Sequence, residues 1–164
     1  MKPLDLPDSL HVEAAKGWCE LHAYLEANEE LEKVAPSLRA HPAVLEARWQ
    51  VYANLEKWEG ALELANALVQ TRPDWPNGYL YRASSLTELN RHLDAHEALS
   101  AAMSRFPADE MVLYDLACVC CALNRLDEAR SWLSKAIELG GKDMKLRALD
   151  DPDLEPVWKS SGPL

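Results

Sequence analysis

The sequence has little of what would give a chain its own chemistry or a place in a membrane. Lys and Arg number 17 against 27 Asp and Glu, for a formal net charge of -10. A nucleic-acid backbone or an anionic bilayer meets repulsion over most of such a surface, so neither is expected as a partner. The longest apolar run, residues 116–123, is far too short to span a bilayer, and acidic residues and prolines interrupt residues 1–10 where a signal peptide needs an apolar stretch. A cytoplasmic protein is the expectation. The four cysteines, Cys19 and the group Cys118, Cys120 and Cys121, do not form the framework of a secreted domain, so reduced thiols are expected. There is no phosphate-cradling Gly-rich loop, Gly-x-Ser-x-Gly elbow or His-Glu-x-x-His helix. The acidic stretch Asp150, Asp151, Asp153 and Glu155 lacks the central Gly and distal Glu of a calcium loop. No catalytic residue, metal or cofactor is expected, and the chain reads as a non-enzyme.

What is present is a period. Ala61, Ala95 and Ala129 stand 34 residues apart, each preceded by a similar polar lead that opens at Leu55, Leu89 and Leu123. The interval recurs in Leu45, Tyr79 and Leu113, in Leu68, Ala102 and Ala136, and at the closing Pro73, Pro107 and Gly141. A fixed interval of this length marks one structural unit copied and stacked. Each unit splits into two helical stretches of about a dozen residues, because the apolar positions keep helical spacing on both sides of the lead and Pro or Gly ends the second. With 48% apolar residues and a single Phe the composition is globular, its Ala and Leu content favours helix, and the expected fold class is all-α.

In the third copy, Leu113, Leu116 and Ala117 face Ala129, Leu133 and Ala136, and this pattern resembles the tetratricopeptide repeat. The resemblance covers residues 42–141 and implies a right-handed superhelix of helix-turn-helix units. It divides a single domain, residues 1–164, into repeats at 42–75, 76–109 and 110–141. The first copy departs from the pattern: Trp49 stands at the usual small position and Arg48 at the usual Leu, which implies wider helix packing there. The segment from Tyr114 to Cys118 also resembles a stretch found in a group of small bacterial repeat proteins.

Both ends are atypical, as the ends of repeat arrays are. Residues 8–41 read as a degenerate helical pair: a helix capped by Asp8 or Ser9 and running to about Ala27, then a second capped by Asn28 and bent near Pro36. The pair is shortened, since Pro42 precedes Pro73 by 31 residues and not 34. Residues 142–159 read as a cap, with a short helix at 142–149 and a tail that folds back to bury Leu154, Val157 and Trp158. Residues 160–164 are expected to be disordered.

The resemblance implies that the first helices of the repeats line a concave groove. It places there Glu46, Gln50 and Asn54, then Asn77, Leu80, Ser84, Thr87 and Glu88, then Met111, Tyr114, Cys118 and Cys121. Some of these positions alternatively only touch the amino-terminal helices or the tail. One subgroup of the family clamps acidic chaperone tails with basic and Asn side chains, but here the corresponding positions hold Glu46, Gln50, Leu80, Ser84, Met111 and Asp115, which disfavours that role. The expected function is a non-catalytic scaffold that takes a protein or peptide with apolar anchors and one or two basic residues. The alternatives are a homodimer formed through exposed Trp49, Trp58 or Trp75, and a thiol or metal protein using Cys118 and Cys121. Cys120 shares its repeat position with Tyr52 and Leu86 and reads as core. His92 and His96 lie on one helical face in the manner of a metal pair. No third ligand is visible beside them, so they read as solvated turn histidines, with Asp94 as a helix cap.

Overall fold

The computed structural model describes residues 4–161. Among them the chain is all-α: α1 (Asp8–Glu20), α2 (Tyr24–Glu32), α3 (Pro42–Asn54), α4 (Trp58–Thr71), α5 (Pro76–Glu88), α6 (His92–Arg105), α7 (Glu110–Ala122), α8 (Leu126–Asp150) and α9 (Glu155–Ser161), with 3-10 turns at Pro36–Leu38 and Pro152–Leu154. Helices α1 and α2, α3 and α4, and α7 and α8 pack as hairpin pairs. The chain divides after Ser85 into two compact units.

The turn inside each pair sets the register. His22, Glu56, Asn90 and Asn124 have φ of 57°, 55°, 58° and 58°, and they follow one another at the 34-residue interval. Each ends its helix with the same two bonds. The residue after it donates back to Trp18, Tyr52, Leu86 or Cys120 at 2.8–2.9 Å, and its own N–H reaches Cys19, Ala53, Thr87 or Cys121 at 2.8–3.0 Å. This is a Schellman closure, which consumes carbonyls the helix end would leave unpaired.

The amino-terminal pair is therefore in phase with the other three, which corrects the expected helix bounds. Helix α1 stops at Glu20 and α2 begins at Tyr24 because the turn at His22 comes well before Asn28. Asp8 does not cap its own helix. Its Oδ1 accepts from the Ala35 N–H at 2.7 Å and ties the start of α1 to the loop after α2. The alanine ladder gains a fourth rung at Ala27, fully buried like Ala61, Ala95 and Ala129. Leu31, Ala65, Leu99 and Leu133, then Val34, Leu68, Ala102 and Ala136, repeat the pattern with almost no exposed surface. The shortening of the first pair falls after Val34, where Pro36 opens a 3-10 turn in place of a further helical turn.

In the first unit, Val12, Ala15, Ala27, Leu31, Val44, Ala47 and Val51 form one apolar cluster. Trp49 is held by a ring contact and a hydrogen bond. Its ring stacks on Tyr81 at 4.0 Å between centroids, and its Nε1 donates to Ser85 Oγ at 3.0 Å. Ser85 is wholly buried, and its hydroxyl in turn donates to the Tyr81 carbonyl at 2.8 Å. Arg48 is spent on the neighbouring pair, donating to Glu32 Oε1 at 2.8 Å and to the Leu31 carbonyl at 3.0 Å.

In the second unit, Leu113, Ala117, Ala129, Leu133 and Ala136 form a cluster that the carboxy-terminal segment completes. The start of α7 is capped by Asp109, whose Oδ1 accepts from the N–H groups of Met111 and Val112 at 3.0 and 3.1 Å. Helix α8 breaks at Gly141, where φ 64° and ψ -146° suit only glycine, and its last stretch, 142–150, is the expected short helix. Beyond it the chain folds back as expected: Leu154 and Val157 are fully buried and Trp158 is half-buried. Trp158 Nε1 donates to the Ala148 carbonyl at 3.0 Å, and Arg130 donates to the Val157 carbonyl at 2.7 Å. Of the residues expected to be disordered, Ser160 and Ser161 end α9, and 162–164 lie outside the described residues.

Candidate functional site

The expected groove residues have different fates in the two units. In the first, the rows on α3 and on α5 up to Ser85 stay accessible: Gln50 and Asn54 are exposed, and Glu46, Asn77, Leu80 and Ser84 are partly so. They flank an aromatic group in which Trp49 stacks on Tyr81 and Trp75 meets the same ring edge-on at 5.8 Å, with the Arg72 guanidinium 5.5 Å from the Trp75 ring centre. Tyr81 donates its hydroxyl to Glu46 Oε1 at 3.3 Å, and burial with the nearby Glu46 charge pushes that phenol up to about 12. No described cation pairs with Glu46. Trp49 and Trp75, candidates for an exposed homodimer contact, are instead half-buried against Tyr81.

In the second unit, Thr87 is partly exposed and Glu88 exposed, but the row on α7 is closed. Tyr114 and Cys121 are buried, at 2% and 8% exposure, and Cys118 is largely so. The cover is the tail. Tyr114 donates its hydroxyl to Asp151 Oδ2, Cys118 Sγ lies 4.0 Å from the same oxygen, and Asp151 Oδ1 accepts from the Asp153 N–H at 2.9 Å. The Arg147 guanidinium sits 4.9 Å from the Tyr114 ring centre and reaches Met111 Sδ at 3.3 Å. Met111, Tyr114 and Cys118 therefore touch the chain's own carboxy-terminal segment, the alternative that sequence reasoning left open for the groove positions.

Burial also sets the chemistry of this corner. It raises the Cys118 thiol well above its ordinary range and the Cys121 thiol to about 11, with the nearby acidic groups adding to both shifts. A thiolate is the attacking nucleophile, so Cys118 and Cys121, offered above as an alternative thiol site, are held as weakly nucleophilic thiols near neutral pH. Asp115, mostly desolvated, is pushed up to about 7, with Asp109 and Asp151 adding to the effect and Arg147 opposing it.

At the turn into α6, Asp94 is not a cap. The helix begins at His92, and Asp94 in its first turn accepts from Arg91 Nε at 2.7 Å. His96 is not solvated: its Nε2 lies 3.2 Å from Glu128 Oε1. No helix among the described residues is long and apolar enough to cross a membrane.

These repeated hairpins define an α-helical repeat protein. Residues 86–149 match the family model of the tetratricopeptide repeat, and the chain shares the fold of solved tetratricopeptide-repeat proteins. A thermophilic TPR protein of Thermus thermophilus superposes with a TM-score of 0.75 over 95% of this chain and 84% of its own, at 19% identity. YrrB, described as a TPR protein with an unusual peptide-binding site, superposes at 0.66 over 92% of this chain and 75% of its own, at 14% identity. An uncharacterized protein of Aquifex aeolicus (strain VF5) is 32% identical over 71 residues, which are 43% of this chain and 9% of that protein. The match thus spans less than a tenth of that relative's length. Proteins of this fold serve generally as interaction scaffolds.

Proposed function

We propose that the chain is a non-catalytic adaptor that binds a short peptide or helical segment along the first helices of its amino-terminal unit. One observation carries this reading. On α3 and α5, Leu80, Gln50, Asn54, Ser84 and Glu46 remain accessible on the helices that carry the Trp49–Tyr81 stack, whereas on α7 Tyr114 and Cys118 already contact the tail. Half-buried aromatic rings on the same helices as one apolar position and adaptable amides suit an extended or helical ligand with an apolar anchor. Glu46, which has no described cation partner, favours a basic residue beside that anchor. The unusual peptide-binding site described for the structurally similar YrrB is consistent with this use of the fold.

The test is a selection of random peptides displayed on phage against the full chain. Enriched peptides should carry an apolar anchor flanked by Lys or Arg. They should lose at least about tenfold in affinity to Leu80→Glu and to Glu46→Lys, a change of about 1.4 kcal/mol or more. Peptides that bind both variants as well as wild type would remove this surface as the site.

A further inference from the structure

The second unit also brings together three metal-ligand side chains from three successive helices. His96 on α6, Cys120 on α7 and Glu128 in the first turn of α8 each place a ligand atom within 4.8 Å of the other two. His96 Nε2 and Glu128 Oε1 are 3.2 Å apart. Two such ligands about 2.0 Å from a tetrahedral ion stand about 3.3 Å apart, and a thiolate at about 2.3 Å extends its edges to about 3.5 Å. The nitrogen and oxygen therefore already have the required separation, and the sulfur needs a shift of at most about 1.3 Å. We infer that His96, Cys120 and Glu128 bind one divalent transition-metal ion of the zinc type, with a fourth position left for water or His92.

The ligand types select the ion. An imidazole and a thiol exclude the oxygen-seeking magnesium and calcium, and a mixed nitrogen, sulfur and oxygen set suits zinc. The surroundings fit. Cys120 is wholly buried, so the sulfur lies in a dry interior, while the Glu128 side chain is 39% exposed and gives the ion a way in. Trp132 Nε1 donates to Glu128 Oε1 at 3.4 Å, and Arg125 lies 3.7 Å from Oε2, contacts that orient the carboxylate. His92 sits one helical turn before His96, and its buried Nδ1 has no hydrogen-bond partner. An ion here would join α6, α7 and α8 near the polar leads inside the hairpins. The competing reading is a plain ion pair between His96 and Glu128, which gives no metal affinity.

The experiment uses the full chain stripped with chelator and titrated with zinc and with cobalt. One ion per chain is expected, and the cobalt form should show a thiolate-to-metal charge-transfer band in the near ultraviolet. Cys120→Ser should abolish that band, and His96→Gln should weaken zinc by more than about 100-fold. A variant with Cys19, Cys118 and Cys121 all replaced by Ser keeps Cys120 as its only cysteine. It must retain the band, which decides the matter even if Cys120→Ser fails to fold. Zinc should raise the thermal midpoint of wild type but not of His96→Gln. No stoichiometric binding, a band surviving in Cys120→Ser, or a band lost in the triple variant would each overturn the site.

Discussion

Tyr114, on the first helix of the last repeat, donates its hydroxyl hydrogen bond to Asp151 in the tail that follows that repeat. The bond ties the carboxy-terminal segment onto the exposed face that α7 would otherwise present. It also explains why Cys118 and Cys121 lie under cover. Buried hydrogen bonds to charged groups contribute about 1.5–3 kcal/mol. Tyr114→Phe should therefore lower stability by about 1–2 kcal/mol in denaturant unfolding. Asp151→Ala should speed alkylation of Cys118 and Cys121 by at least about tenfold, a local opening easier by about 1.4 kcal/mol, while Cys19 reacts as before. Unchanged labelling at both cysteines would show that the tail does not gate them.

Asp115 gives a pH dependence of defined sign. Its folded-state carboxyl is raised to about 7, so between the ordinary carboxylate range and pH 7 the folded chain keeps a proton that the unfolded chain has released. The contribution is favourable in acid and is lost as pH rises toward 7. Asp115→Asn should accordingly gain on wild type with rising pH, by on the order of 2 kcal/mol at pH 8 relative to pH 4. Unfolding curves of both proteins at several pH values measure it; a constant difference would contradict the assignment.

Two backbone positions should respond oppositely to substitution. Glu56 holds φ 55° where glycine has no steric penalty, so Glu56→Gly should raise stability by about 0.5–1 kcal/mol. Gly141 holds a conformation closed to other residues, so Gly141→Ala should cost about 1–3 kcal/mol and loosen the short helix beyond it. Thermal midpoints compared with wild type check both signs.

The repeat itself was legible because its signal is apolar periodicity, which tertiary contacts reinforce: Ala61, Ala95 and Ala129 are all fully buried. The fourth rung at Ala27 was hidden because the turn before it is marked by His22 and not by Asn, as at Asn90 and Asn124. The spacing of Pro42 and Pro73 pointed to a different register, since it reports a shortening after Val34 and not the turn. The fold-back of Leu154, Val157 and Trp158 was readable from apolar residues set among prolines and acids. Which groove residues it would cover was not readable, since that depends on the angle set by Gly141. The cluster of His96, Cys120 and Glu128 was beyond sequence reach. Its members lie 24 and 8 residues apart on three helices, and only the packing of α6, α7 and α8 brings them together.

The most direct test of the interaction surface is site-specific photocrosslinking in cells of the source organism. A photoreactive amino acid would replace Gln50 or Leu80 on the proposed surface, or Glu63, an exposed residue on the second helix of the same hairpin as Gln50. The expected result is discrete polypeptide adducts at Gln50 and Leu80 that are absent at Glu63 and are competed away by the phage-selected peptides. Adducts confined to Glu63, or equal at all three positions, would contradict recognition through the first helices of the amino-terminal unit.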